Sequence, residues 1–288
     1  MKQTILKYSS LLALISSSFI SSQIYAAECA TGASPDDSCT IDVSNTTYTL
    51  TGDINTNTTD NIIDFGAGAN SNTLNFIGDI SSEGLDARAF SFSDNDGNTL
   101  TMIGNIITEG NGAEGIKLFP GVTNANIDMT GNITTTGDDA DGLVLLTSDS
   151  NTTTLTGNIT TTADVARGLR LFYSNSNTTT LTGNISTTVN AAYGLFLVGS
   201  DSNTTNITGN ITTSGGGADG ILVGTSSNSN TVNITGNFTI SGTSSAAISL
   251  TNAGINNTVN LTGNVTSSGI GSHGIEVQSS DSNTVNWV

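Results

Sequence analysis

Residues 176–188 read SNTTTLTGNISTT, and the chain repeats this stretch with small changes along most of its length. Residues 150–162 read SNTTTLTGNITTT, and residues 202–214 read SNTTNITGNITTS. The glycine before the Asn or Asp marks each copy, because it returns at every step of 26 or 27 residues. It stands at Gly52, Gly78, Gly104, Gly131, Gly157, Gly183, Gly209, Gly236 and Gly263. A period of this length is typical of a solenoid.

Apolar and polar residues alternate around this glycine. In the quoted copy Leu181 and Ile185 are apolar, whereas Thr180 is polar. A period of two residues indicates a strand with one buried face. The glycine falls on the buried parity, which predicts a bend or a close approach of two backbones. The asparagine six residues before it, Asn177 in this copy, is interpreted as a turn residue that hydrogen-bonds its own backbone or adopts left-handed dihedrals.

A second strand follows in each unit, as in DGLVLL (141–146), RGLRLF (167–172) and YGLFLV (193–198). One unit is too small to bury its own apolar face, but stacked copies bury it together. The prediction is therefore an all-β chain that forms a right-handed parallel β-helix. It should have about nine to ten turns, with 26–27 residues in each turn.

The chain start differs from the repeats. Lys2 and Lys7 precede a short apolar run, and small residues follow at Ala26 and Ala27, so residues 1–26 are predicted to be a secretory signal peptide. The apolar run is too short for a membrane anchor. Residues 27–43 are expected to form an N-terminal cap, and residues 44–288 the β-helix repeats.

Cys29 and Cys39 are the two cysteines of the chain, and both lie in the expected cap. An exported pair that closes a short loop predicts a disulfide bond. A metal or redox pair is the less favoured alternative, because the CxxC spacing and nearby histidines are missing.

Only 10% of the residues are charged. The chain is nevertheless rich in Thr, Ile and Val, which argues against disorder and for strands. Without the signal peptide, 24 acidic residues face only Arg88, Lys117, Arg167 and Arg170. Such an acidic chain repels nucleic acid, so no nucleic-acid partner is expected.

The copies TGNITTTGDDADGLVLL (130–146), TGNITTSGGGADGILVG (208–224) and TGNVTSSGIGSHGIEVQ (262–278), together with the signal peptide, carry a resemblance. From about Ile41 onward the chain resembles the passenger regions of autotransporters. The resemblance implies an adhesin or stalk that binds a molecule on a host or neighbouring cell. It also implies a C-terminal outer-membrane translocator barrel, which these 288 residues do not contain.

The last residues, SNTVNWV, match the first part of a repeat, so the chain reads as cut in mid-repeat. The expected location is the cell surface, the outer membrane or the medium if a barrel is supplied. It is the periplasm if the chain is this short.

Binding is expected to use the columns whose chemistry varies from turn to turn. One such column precedes the second-strand glycine and is interpreted as an exposed edge; His273 is read there as a solvated residue. The candidate binding surface consists of Arg88, Glu114, Lys117, Asp141, Arg167, Arg170, Tyr193, Phe196, Asp219, His273 and Glu276.

No enzyme activity, cofactor or metal site is predicted. Asp138, Asp139 and Asp141 beside Arg167 and Arg170 imitate the carboxylates of β-helical enzymes that degrade acidic polysaccharides, which is the least favoured alternative. Residues 93–98, SDNDGN, are interpreted as a turn rather than a calcium loop. The runs of threonine at 134–136 and 160–162 leave an ice-binding or other Thr-rich ligand-binding solenoid as a second alternative.

Overall fold

The computed structural model describes residues 38–288, which form 29 strands and no helix. The strands assemble into three parallel sheets that stack coil on coil. The predicted parallel β-helix is confirmed, with about ten turns. Residues 1–26, predicted to be a signal peptide, and Cys29 lie outside the described residues, so the signal peptide and the disulfide with Cys39 stay predictions.

Each of the first nine coils contributes one strand to each sheet, and the last described strands, β28 (His273–Gln278) and β29 (Thr284–Trp287), belong to sheets A and B. Sheet A contains, in order, β1 (Cys39–Ile41), β4 (Ile63–Phe65), β7 (Phe90–Phe92), β10 (Ile116–Leu118), β13 (Leu143–Leu146), β16 (Leu169–Phe172), β19 (Leu195–Val198), β22 (Ile221–Gly224), β25 (Ala246–Thr251) and β28 (His273–Gln278). Sheet B contains β2 (Thr47–Thr51), β5 (Thr73–Ile77), β8 (Thr99–Ile103), β11 (Asn126–Thr130), β14 (Thr152–Thr156), β17 (Thr178–Thr182), β20 (Thr204–Thr208), β23 (Thr231–Thr235), β26 (Thr258–Thr262) and β29 (Thr284–Trp287). Sheet C contains β3 (Ile54–Thr56), β6 (Ile80–Ser82), β9 (Ile106–Thr108), β12 (Ile133–Thr135), β15 (Ile159–Thr161), β18 (Ile185–Thr187), β21 (Ile211–Thr213), β24 (Phe238–Ile240) and β27 (Val265–Ser267).

The coils stack in register, so equivalent residues lie above one another. Leu181 pairs with Leu155 on one side and with Ile207 on the other. All three side chains are buried in one continuous hydrophobic core that follows the helix axis. The apolar ladders therefore bury together the face that a single coil would leave in water. Strand β1 already pairs with β4, so the first coil begins within the stretch that the sequence assigned to the cap.

The repeated glycine forms the corner between sheet B and sheet C. Gly183 has a φ angle of 154°, a backbone conformation that side chains with a Cβ atom rarely adopt. A Cβ atom at this position would also overlap the carbonyl oxygen of Gly157 in the adjacent coil. The bend and the close backbone approach are thus both present, and they divide the expected first strand into β17 and β18.

The repeated asparagine is not a solvent-exposed turn residue. Asn177 is only 1% exposed, and the residue with left-handed dihedrals is Ser176, directly before it. Asn177 Nδ2 donates to the carbonyl oxygen of Ser148 at 2.9 Å, and its Oδ1 accepts from the backbone N–H of Asn151 at 2.8 Å. The interpretation that this asparagine bonds its own backbone was wrong, because its side chain joins neighbouring coils.

A second amide ladder lies on the surface, at the residue after the corner glycine, which is Asp53 and Asp79 in the first two coils and Asn from Asn105 onward. Asn184 Nδ2 donates to Asn158 Oδ1 at 3.0 Å, and the backbone N–H of Asn210 donates to Asn184 Oδ1 at 2.8 Å. The same amide chemistry therefore occurs twice in most coils, once in the interior and once in water.

Candidate binding surface on sheet A

The outward face of sheet A differs from those of the other two sheets. The outward residues of sheets B and C are mostly Thr, Asn and Ser, which repeat from coil to coil. The middle outward column of sheet A changes at almost every coil. Its members in coil order are Thr40, Asp64, Ser91, Lys117, Val144, Arg170, Phe196, Leu222, Ser249 and Glu276. Stacking of the coils does not require this variation, since Ser and Thr also fit the column.

Every Lys and Arg in residues 38–288 lies on or beside this face. Arg88 and Lys117 form the first group with Glu114. Arg88 Nε and Lys117 Nζ each lie 2.5 Å from a carboxylate oxygen of Glu114, which is 3% exposed. The Phe119 ring lies beside both cations, with its centroid 5.2 Å from Arg88 Cζ and 4.7 Å from Lys117 Nζ. The ion pairs neutralise the buried carboxylate, and Arg88 also lies 3.6 Å from the exposed carboxylate of Asp86, so this group has no excess positive charge.

Asp141 forms the second group with two arginines of the next coil. It is fully buried, and an Nη1 atom approaches it from Arg167 at 3.5 Å and from Arg170 at 3.4 Å. Burial raises the pKa of Asp141 to about 6, while the charge of Arg167 opposes this rise. At neutral pH this second group, unlike the first, carries one excess positive charge.

Four aromatic rings adjoin the second group. The ring centroids of Phe172 and Tyr173 are 4.4 Å apart, and those of Tyr193 and Phe196 are 5.2 Å apart. Phe172 and Phe196 connect the two pairs at 6.4 Å. Arg167 Cζ lies 4.6 Å from the centroid of the Phe196 ring, and Arg170 Cζ lies 4.9 Å from the centroid of the Phe172 ring. We call these six residues, Arg167, Arg170, Phe172, Tyr173, Tyr193 and Phe196, the aromatic–cation patch.

Aliphatic side chains border the aromatic–cation patch within the same column. Val144 points outward between Lys117 and Arg170 in the register, yet it is fully buried. The long side chains on this face therefore cover the sheet beneath them. Leu222 follows Phe196 on the other side and is half-buried.

The C-terminal end of the face is acidic. Burial, together with the charge of Glu276, raises the pKa of Asp219 to about 6. The Asp219 carboxylate accepts a hydrogen bond from the backbone N–H of Ala246 at 2.6 Å. His273 is exposed and lies one coil further on, paired with Ala246. Burial also raises the pKa of Tyr193, which is close to Asp219.

The structure brings the eleven candidate residues to one face, but not to one exposed edge. The expectation of an exposed edge was wrong for Glu114 and Asp141, because ion pairs allow both carboxylates to be buried. Sequence reasoning missed Phe119, Phe172 and Tyr173, which complete the ring contacts. Their signal was visible as aromatic residues at or directly after the end of the second strand, in a chain with only 5% aromatic residues.

The acidic residues considered for catalysis are not gathered around one point. Asp138 and Asp139 are exposed, and Asp138 Oδ1 accepts from the backbone N–H of Asp164 in the next coil. Asp141 instead points to its two arginines. Residues 93–98 form part of a turn in which Asp96 accepts from Thr123 Oγ1 at 2.7 Å. Within residues 38–288 no three His, Cys, Asp or Glu side chains are grouped closely enough to hold a metal ion.

Within the same part of the chain, no helix has the length and hydrophobicity needed to span a membrane. We compared the sequence with protein-family models and curated proteins, and the fold with solved structures. None of the three comparisons returned a match.

Proposed function

We propose that this chain is an exported, non-enzymatic bacterial protein of the autotransporter-passenger type, a stalk or adhesin at the cell surface or in the medium. Its binding site is the aromatic–cation patch, which meets a molecule on a host or neighbouring cell. One observation carries the proposal. All Lys and Arg side chains of residues 38–288 and a cluster of four aromatic rings lie on one face of a rod whose other faces are covered mostly by Thr and Asn.

The fold does not require the aromatic and arginine side chains of the patch. Equivalent positions in other coils hold Ser91 and Ser249, and those coils pair in the same register. Tyr173 leaves 54% of its surface in water, and Phe196 is half-buried. Clustered aromatic and arginine side chains on a surface are typical of binding hot spots. The repeat and the signal-peptide pattern support export, and the polar rod supports the role of a stalk.

The test is an adherence assay with the full chain displayed on bacteria through an outer-membrane barrel fused after Val288. Added protease should cleave the displayed chain on intact cells. The double variant Arg170→Gln, Phe196→Ser should lose adherence to the target cells. The control is Ile103→Thr, which removes an apolar side chain that is 53% exposed on sheet B. Loss of adherence in both variants, or in neither, would contradict a binding site on sheet A.

A specific observation also favours ice binding as a second candidate. The threonine runs at 134–136 and 160–162 begin in sheet C, but the more regular threonine column lies on sheet B. Its members are Thr47, Thr73, Thr99, Thr152, Thr178, Thr204, Thr231, Thr258 and Thr284, and only Asn126 interrupts it. Strand spacing sets these hydroxyls about 4.8 Å apart. Thermal hysteresis that Thr178→Lys abolishes would support this candidate over the first.

A further inference from the structure

We infer that the aromatic–cation patch binds an acidic oligosaccharide, with a sugar carboxylate at the arginines and the sugar rings on the aromatic side chains. The inference rests on the proposed function and names the ligand class of the same site.

The charge of the patch favours an anion. Arg167 and Arg170 share the single carboxylate of Asp141, so the group keeps one positive charge that no other side chain of the described residues pairs with. Each guanidinium turns its Nη1 atom to Asp141, and both Nε atoms are buried without a hydrogen-bond partner within residues 38–288. Arg170 retains 25% of its side-chain exposure, which makes it the accessible donor. A planar guanidinium matches the two oxygens of a carboxylate.

The rings favour a carbohydrate. One face of a pyranose ring presents C–H groups and packs on the face of an aromatic ring, while its hydroxyls need hydrogen-bond partners at the rim. Phe172 and Phe196 lie in adjacent coils and supply neighbouring rings 6.4 Å apart. Tyr173 and Tyr193 flank them and carry phenolic hydroxyls that donate and accept. The patch thus combines apolar platforms with polar edges beside one cation.

The area of the patch argues against a protein partner. The patch occupies two coils, which at about 4.8 Å per coil span roughly 10 Å, and a four-residue strand spans about 13 Å. The resulting area of about 130 Å² is well below the ~800 Å² that each partner buries in a standard protein interface. A short, extended oligosaccharide lies on such a surface without requiring a deep pocket.

The experiment measures binding of the full exported chain to two acidic probes by isothermal titration calorimetry. The probes are a tetramer of galacturonic acid and a tetramer of sialic acid, each compared with its carboxyl-reduced, neutral form. At least one acidic probe should bind, and its neutral form should bind about tenfold to a hundredfold more weakly, as expected for the loss of a hydrogen bond between charged groups. The two probes distinguish uronic from sialic acids as the source of the carboxylate.

Three variants assign the binding to the patch. Arg170→Gln should weaken binding of the acidic probe by about tenfold or more and leave binding of the neutral form unchanged. Phe196→Ser should weaken binding of both the acidic and the neutral form, because it removes the ring on which the sugar stacks. Ile103→Thr should change neither. Circular dichroism and the melting temperature must match the wild type, and Leu222→Ser, in the same column, repeats the folding control next to the patch.

The inference is overturned if neither acidic probe binds at millimolar concentration, or if acidic and neutral forms bind alike. If the probes fail while Arg170→Gln, Phe196→Ser still abolishes cell adherence, the proposed function stands and the ligand is a protein. If the probes bind as expected while adherence does not depend on the patch, the ligand class stands and the adhesin role fails.

Discussion

Replacing Asn177 with alanine tests the buried asparagine ladder, and we expect a loss of about 2–4 kcal/mol in the free energy of unfolding. The substitution removes the oxygen that accepts from the buried N–H of Asn151 at 2.8 Å. It also removes the donor to the carbonyl oxygen of Ser148 at 2.9 Å. Each buried group left without a partner costs about 1–3 kcal/mol, because water cannot replace the lost hydrogen bond.

Asn184→Ala provides the matched control within the same coil. Asn184 also belongs to an amide ladder, and its Oδ1 accepts from the backbone N–H of Asn210 at 2.8 Å. This asparagine is exposed, so water satisfies the N–H after the substitution. We expect a loss of less than about 1 kcal/mol. The chemical change is identical in the two variants, so their difference isolates burial.

Urea denaturation followed by circular dichroism should separate the two variants, with amide hydrogen exchange as the local measurement. The N–H of Asn151 should exchange much faster in Asn177→Ala, whereas the N–H of Asn210 should change little in Asn184→Ala. A solenoid need not unfold in one step, so the exchange of individual amides supports the global curve. Equal losses in the two variants would refute the argument that burial, rather than the ladder itself, sets the magnitude.

Three further perturbations test other features of the β-helix. Ile185→Asp should cost several kcal/mol of folding free energy and lower the melting temperature strongly, because it buries an unpaired carboxylate. Thr180→Asp, on the outward parity, should have little effect. Equal melting temperatures of the two variants would show that the two faces are misassigned. Gly183→Ala should destabilise strongly, since the new Cβ overlaps the adjacent backbone, and retention of the wild-type melting temperature would contradict this packing. Burial raises the pKa of Asp219 from 3.8 to about 6, so the folded state binds its proton more tightly than the unfolded state. Stability from the protonated carboxyl is therefore lost as the pH rises from about 4 to about 6, and Asp219→Asn should flatten the stability profile in that window; an unchanged profile would refute the shift.

The sequence by itself determined the β-helix and the register of its coils. A period of two within each copy assigns Leu181 and Ile185 to the buried face, because successive side chains on a strand point to opposite sides. A period of 26 or 27 residues between copies aligns equivalent residues, because only matching coils bury their apolar ladders together. The conformational role of Gly183 followed from its position on the buried parity. These properties depend on local patterning and on repetition, which are both written in the chain.

Tertiary structure alone decided how the outward residues of sheet A interact. Asp141 meets Arg167 and Arg170 because a full coil separates them in sequence while one strand spacing separates them in space. Alternation predicts which face a residue occupies, but the packing of long side chains across coils decides whether it is buried. Glu114 reads as an exposed acid in the sequence, and two cations, Arg88 of the preceding coil and Lys117 of its own coil, allow its burial. The burial of the Asn177 ladder was likewise decided by the turn between sheets A and B. A polar side chain is buried there because the neighbouring coils supply its hydrogen-bond partners.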